Sequence, residues 1–193
     1  HDSHRRQRQM CIRDRFEDGK DMIHYVMLYN DNESQPAKPE GCDEGIIRGA
    51  YRLSADDESN GPKVRLLGSG PILKNVIMAS EKLRDRGIAT EIWSVTSYGE
   101  LRRGGLEHER FKRYNPDSDG SSYVEGCFGD EVPTVAASDY ISAVPEMIER
   151  WVNGDFYALG TDGYGRSDTR SELRRFFEVD SDSIVHALSL IHI

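Results

Sequence analysis

KVRLLGSG at residues 63–70, PILKNVIMASEKLRDRG at 71–87 and ATEIWSVTSY at 89–98 decide the fold. The first is an apolar run ending in glycines and reads as a strand. The second places Ile72, Leu73, Val76, Ile77 and Leu83 on one helical face, with Pro71 in the first turn and Gly87 as the stop. The third is another strand. Strands joined through a helix rather than a tight turn lie parallel, so this is the start of a βαβ pattern.

The alternation continues downstream. Ser97 with Glu100 fits a capping box for a helix through Tyr114. Residues Pro133 to Ala137 can form a short buried strand. Ile141, Val144, Ile148, Trp151 and Val152 mark a helix, with Pro145 as a possible kink. FYALG (156–160) reads as a strand, Thr169 with Glu172 as a second capping box before ELRRFFEV, and SDSIVHAL as the start of a last helix. Upstream, MIHYVMLY (22–29) reads as a buried strand. NDNESQPAKPEG (30–41), with Pro36 and Pro39, reads as an extended crossing between two domains. CDEGIIRGAYRL is a short helix or a turn, then a strand, and SADDESNGP (54–62) an exposed acidic loop. The fold class is α/β with a mostly parallel sheet covered on both faces.

The 193 residues carry 25 Lys and Arg against 34 Asp and Glu, a net charge of −9. An acidic surface argues against phosphate-backbone binding, so no nucleic-acid partner is expected. No apolar run approaches the ~20 residues that span a bilayer, so no membrane partner is expected either. Cys11, Cys42 and Cys127 are odd in number and scattered, which implies neither a disulfide framework nor a zinc ribbon. A reducing, cytoplasmic setting is the default.

The ends differ from the middle. HDSHRRQRQMCIRDR (1–15) has five arginines and no apolar face; with the closing LSLIHI it reads as translated adapter sequence, leaving 1–15 and 189–193 as non-native tips. A basic nucleic-acid arm is the other reading of the first tip.

Few residues carry visible chemistry. Gly68-Ser69-Gly70 lies between strand and helix, where a phosphate could meet free N–H groups, but the third glycine of the dinucleotide fingerprint is Leu73, which favours a tight turn. The Gly-Asp-Gly…Asn metal-binding pattern of thiamine diphosphate enzymes is absent, and Gly129-Asp130-Glu131 is no substitute. His24 reads as a core residue and His108 as a solvated one; His186, in the last helix, is uninformative, and His1, His4 and His192 lie in the tips. No cysteine is paired with a plausible base. The most distinctive segment is Gly160-Thr161-Asp162-Gly163-Tyr164-Gly165-Arg166-Ser167-Asp168, at a strand's C-terminal end where α/β folds place ligand sites. It reads either as a site or as a tightly bonded loop, with Arg166 paired to Asp162 or Asp168, that packs against another subunit.

LGTDGYGRSDTRSELRRFFEVD (159–180) resembles a signature segment of the homodimeric pyruvate dehydrogenase decarboxylating component. KVRLLGSGPILKNV, IWSVTSYGELRRGGLEHERFKRYNP and PTVAASDYISAVPEMI resemble the same family in the same order, and QPAKPEGCDEGIIRGAYRL resembles its crossing segment. The resemblance implies an acetyl-transferring pyruvate dehydrogenase of the pyruvate metabolism that follows glycolysis. Such an enzyme uses thiamine diphosphate and Mg²⁺ to decarboxylate pyruvate and acetylates a lipoyl group on its dihydrolipoyl acetyltransferase partner. It implies that residues 16–41 end the middle, pyrimidine-binding domain. Residues 42–188 then form a three-layer αβα transketolase-type C-terminal domain that serves the homodimer. This chain alone is expected to bind neither cofactor nor metal and to be inactive.

One departure matters. Where the family reads Asn-Glu-Asn-Tyr-His, this chain reads Asn30-Asp31-Asn32-Glu33-Ser34, so Ser34 stands in the place of the active-site histidine. Serine cannot titrate near neutral pH as imidazole does. Ser34 is not read as catalytic; Asn32 and Gln35 are candidate rim residues, and Asp162, Tyr164, Arg166, Ser167 and Asp168 are interface candidates. The departure leaves open a related 2-oxo acid dehydrogenase, and the glycine turn leaves open a stand-alone nucleotide- or ligand-binding module.

Overall fold

The computed structural model describes residues 18, 19, 21, 34–57 and 61–190. The chain divides into two compact units, His1–Pro36 and Ala37–Ile193. In the first, Ser34, Gln35 and Pro36 are exposed and lack regular structure. The expected strand at 22–29, the first tip and Asn32 lie outside the described residues.

In the second unit, helix α1 (Asp43–Arg48) is followed by strand β1 (Ala50–Ala55), which settles the alternative left open there. Strand β2 (Lys63–Ser69) leads through a 3₁₀ turn (Gly70–Ile72) into α2 (Leu73–Arg84). Pro71 sits in that first turn, and the Ile88 N–H closes the far end on Leu83 O at 3.1 Å across Gly87 at φ +77°. Strand β3 (Ala89–Val95) leads into α3 (Tyr98–Tyr114), where the Ser97 hydroxyl accepts from the Glu100 N–H at 3.1 Å. Then come α4 (Tyr123–Phe128), β4 (Thr134–Ala137), α5 (Ala143–Glu146), a 3₁₀ turn (Glu149–Trp151), β5 (Phe156–Leu159), α6 (Arg170–Phe176) and α7 (Ser181–Leu190).

The sheet order is β1-β3-β2-β4-β5. The pairs β2–β3, β2–β4 and β4–β5 are parallel, and β1 is antiparallel to β3. Alternation sends Val64, Leu66, Ile92, Val135, Ala137 and Leu159 to one face, against Val76 and Leu83 of α2 and Ile184 and Leu188 of α7. Leu67, Trp93, Val95 and Ala136 face the other way, against Leu101 of α3, Phe128 of α4, and Ile148 and Trp151. Every residue of β3 and β4 is buried, as a sheet covered by helices on both faces requires. This is the expected three-layer αβα domain.

Two expectations need correction. The helix expected from Ile141 to Val152 is two short turns, α5 and the 3₁₀ turn. Ile141 is 51% exposed and off the stripe, and Val152 is already extended at φ −98°, ψ 126°. Pro145 supplies no N–H, so the segment buries Ile148 and Trp151 through separate turns. The acidic loop begins later than Ser54, because β1 runs to Ala55 and Asp56 is drawn inward. Its carboxylate accepts from the Thr90 N–H at 3.1 Å and the Thr90 hydroxyl at 2.9 Å. Helix α4 was not anticipated, although Ser122 and Glu125 form a complete capping box at its start.

Two charged side chains, Arg65 and Glu91, are buried among the described residues. Arg65, third residue of β2, is 1% exposed. Its guanidinium bonds Asp130, lies 3.6 Å from Glu91 and sits 5.3 Å from the Phe128 ring centroid. Nε and Nη1 have no hydrogen-bond partner among the described residues. Glu91 is shared with the Trp93 indole N–H at 2.6 Å. Asp130 therefore ties the loop after α4 to the middle of the sheet.

Two variants test these ties. Asp130→Ala strips a buried cation of its nearest anion; with Asp130 60% exposed and Glu91 still close, urea denaturation should show a loss of about 2 kcal/mol. Partial burial pulls the Asp56 carboxyl upward, but bonds from Thr90 and Arg84 outweigh it and hold it below the usual value. The folded state therefore holds that proton less tightly than the unfolded chain. The stabilisation is full above the unfolded carboxylate value and is lost as pH falls through the folded one. The stability gap between the native chain and Asp56→Ala should be clear at pH 7, at about 1 kcal/mol, and narrow as pH falls below the usual carboxylate range.

Candidate functional site

The chain leaves β2 toward β3 on one side and leaves β4 toward β5 on the other. The carboxyl ends of β2 and β4 therefore flank the switch point, where open α/β sheets form their crevice. At that place the Ser69 hydroxyl donates to the Ser138 hydroxyl at 2.9 Å, and the Tyr140 N–H donates to Ser138 Oγ at 3.1 Å. The Gly68-Ser69-Gly70 turn is packed tight. A Cβ at Gly68 would lie 2.9 Å from Leu73 Cα, and one at Gly70 would lie 3.6 Å from an Asp139 carboxylate oxygen. A carboxylate at the start of α2 stands where a phosphate would need a cation or free N–H groups, so the tight-turn reading fits better.

The loop after β5 is bonded at its base and open at its tip. Thr161 N–H donates to Tyr140 O at 2.8 Å, and its hydroxyl to Asp139 O at 2.7 Å. The Asp162 carboxylate accepts from the Ser142 N–H at 3.2 Å and 3.4 Å. Gly160 makes this possible, since a Cβ there would fall 2.2 Å from Ser142 N. Beyond Asp162 every residue through Asp168 is exposed, Tyr164 to 95%. Arg166 does not pair with Asp162 or Asp168: its guanidinium lies 3.8 Å from the Phe176 ring centroid. Asp168 accepts from the Thr169 N–H at 2.7 Å, next to the Thr169 hydroxyl that caps α6. Ser167 is exposed. The structure thus gathers Asp162 with residues 139–142 and leaves Tyr164, Arg166 and Ser167 facing outward.

The remaining candidates are dispersed. Ser34 and Gln35 are exposed in the first unit. His24 lies outside the described residues, and His186 is exposed on α7. His108 is half-buried rather than solvated, its Nε2 3.1 Å from Gly120 O, so it fastens the segment between α3 and α4. Cys42 is free and buried, Cys127 free and half-buried, and burial pushes the Cys127 thiol up, away from a reactive thiolate. Among the described residues, no three His, Cys, Asp or Glu side chains are grouped to hold a metal ion. Arg65, the most unusual buried group, escaped the sequence reading because one arginine in a strand reads as a surface position.

Gly160→Ala should push residues 141–142 off the loop base. The expected result is a loss of about 1–3 kcal/mol in denaturation and faster amide exchange at Ser142 and Thr161, with the sheet amides unchanged.

A family model described as the transketolase-like TK C-terminal domain matches residues 49–180. The chain is 45% identical over 179 residues to the pyruvate dehydrogenase E1 component of Pseudomonas aeruginosa, covering 91% of this chain and 20% of that protein. It is 42% identical to that of Escherichia coli K12 and 38% identical to that of Mycolicibacterium smegmatis. These cover 87% and 89% of this chain and 19% of each relative. The chain therefore spans about a fifth of the length of these curated relatives. Among solved structures, transketolase from Leishmania mexicana superposes with a TM-score of 0.53 at 17% identity, over 77% of this chain and 18% of that one. Transketolase from Campylobacter jejuni gives 0.52 at 17% identity, over 81% and 20%. These two share the fold. The parallel sheet and the loops at its carboxyl end coincide with the matched span, and the chain belongs to the transketolase-like C-terminal domain family, as a homologue of the C-terminal region of pyruvate dehydrogenase E1 components.

Proposed function

We propose that this chain is the C-terminal part of a pyruvate dehydrogenase decarboxylating subunit and that its own role is architectural. The similarity to pyruvate dehydrogenase E1 components along nearly the whole chain carries the reading. In this proposal residues 16–41 end the middle domain, residues 42–188 are the transketolase-type domain, and the whole subunit works as a homodimer in the cytoplasm. No helix among the described residues is long and apolar enough to cross a membrane.

The whole enzyme would use thiamine diphosphate with Mg²⁺ to decarboxylate pyruvate and would acetylate a lipoyl group on a dihydrolipoyl acetyltransferase. The described residues do not fit that cofactor, since they offer no grouped ligands for the metal. What this chain contributes is a rigid domain, with Tyr164, Arg166 and Ser167 presented on a loop whose base is fixed by Asp162 and Thr161. Ser34 borders the active site without acting as acid or base, with Asn32 and Gln35 at its rim. The relatives' name, pyruvate dehydrogenase E1 component, supports pyruvate rather than a longer 2-oxo acid as the whole enzyme's substrate, in spite of Ser34.

Calorimetry separates the parts of the proposal. Thiamine diphosphate with Mg²⁺ titrated into this chain should give no heat of binding; a tight isotherm would contradict the architectural role. The full-length subunit from the source locus should turn over pyruvate in preference to longer 2-oxo acids, and the reverse preference would overturn the substrate.

A further inference from the structure

The two edges of the sheet are built differently. On β1 the register shifts between Arg52 and Ser54, and Arg52 is exposed. A bulge and an outward charge are ordinary guards against edge pairing. Strand β5, Phe-Tyr-Ala-Leu at 156–159, has no bulge, no proline and no charge.

Its hydrogen bonding is one-sided. Thr134 N–H donates to Asp155 O at 2.8 Å and Ser138 N–H to Leu159 O at 3.0 Å, so residues 155, 157 and 159 serve the ladder to β4. The N–H and C=O groups of Phe156 and Ala158 point away from β4, and neither has a backbone partner among the described residues. This open edge forms the floor of a groove of about 410 Å³. It is lined by Glu146 and Glu149, from the segment whose Ile148 and Trp151 pack on one face of the sheet, by Phe177 and Glu178, from the segment that packs on the other face, and by Tyr157 and Asp162. The glutamates are exposed, and among the described residues no lysine or arginine lines the groove.

We propose that this groove binds an extended cationic peptide segment of a partner protein, which adds to β5 as a further strand. Main-chain bonds to Phe156 and Ala158 would hold its backbone, alternate Lys or Arg side chains would reach Glu146 and Glu149 on one face, and the intervening apolar side chains would lie toward Phe177 on the other. The same charge disfavours a second copy of this chain, because edge-to-edge pairing of β5 would bring two sets of glutamates together. The inference stands on the edge and its walls and does not rest on the enzymatic reading.

The probe is fluorescein-labelled acetyl-Lys-Val-Lys-Val-Lys-Val-amide, followed by anisotropy with the full 193-residue chain. Saturable binding is expected. It should weaken about tenfold or more when alternate peptide amides are N-methylated, which removes main-chain donors and keeps the charge. Ala158→Pro should have a similar effect, since it deletes an outward N–H and leaves the ladder to β4 intact. The double variant Glu146→Lys, Glu149→Lys should abolish binding, and a glutamate version of the peptide should not bind the native chain. Should Ala158→Pro misfold, the N-methylated peptide with the native chain decides. Absence of saturable binding, or equal binding of the N-methylated peptide, overturns the proposal. So does self-association without peptide that Ala158→Pro abolishes, because the occupant would then be a second copy.

Discussion

Parallel pairing of β2, β3, β4 and β5 is the constraint from which the rest follows. Adjacent parallel strands cannot be joined by a tight turn, so each must be followed by a crossing segment that packs on a sheet face. Both faces must then be apolar, which is why β3 and β4 have no exposed residue. The crossings also gather the strand ends. Residues 69, 138–142 and 159–162 meet at one end of the sheet, where hydroxyls and main-chain groups satisfy one another. Gly160 sits at the tightest contact of that group, which explains a small residue between a buried Leu159 and a fully exposed tip.

The same constraint decides what could be read in advance. Helix α2 was legible because its apolar stripe is long and its ends carry Pro71 and Gly87, and α3 because Ser97 and Glu100 marked its start. Helix α4 spans six residues, too few for periodicity to show, though its Ser122–Glu125 box was present to be found. The 141–152 segment misled because apolar residues three and four apart suit two separate turns as well as one helix. Arg65 was invisible, since its partners Glu91 and Asp130 are distant in sequence and only the sheet brings them together.

The candidate loop was legible by composition but not by partner. Its glycines and aspartates marked it as special, yet the pairing of Arg166 depended on α6 presenting Phe176 beneath it. Asp162, open to pairing with Arg166, is committed to the Ser142 main chain. The loop thus divides into a fixed base and a free tip, an arrangement suited to presenting side chains to another surface. The acidic groove beside β5 was not legible at all, because Glu146, Glu149 and Glu178 belong to different elements and converge only across the strand.

Helix α7 completes the layer that α2 begins. Asn75 of α2 donates to Val179 O at 2.8 Å across 104 residues of chain, and Lys82 donates to the Ser181 hydroxyl at 2.9 Å across 99. A chain made from its N-terminus must therefore present Val64, Leu66, Val135 and Ala137 half-covered until the residues of α7 have left the ribosome. The layer holding Trp93 and Trp151 is complete earlier. Its two faces consequently close in a fixed order during synthesis, and the late one is the face a chaperone would meet.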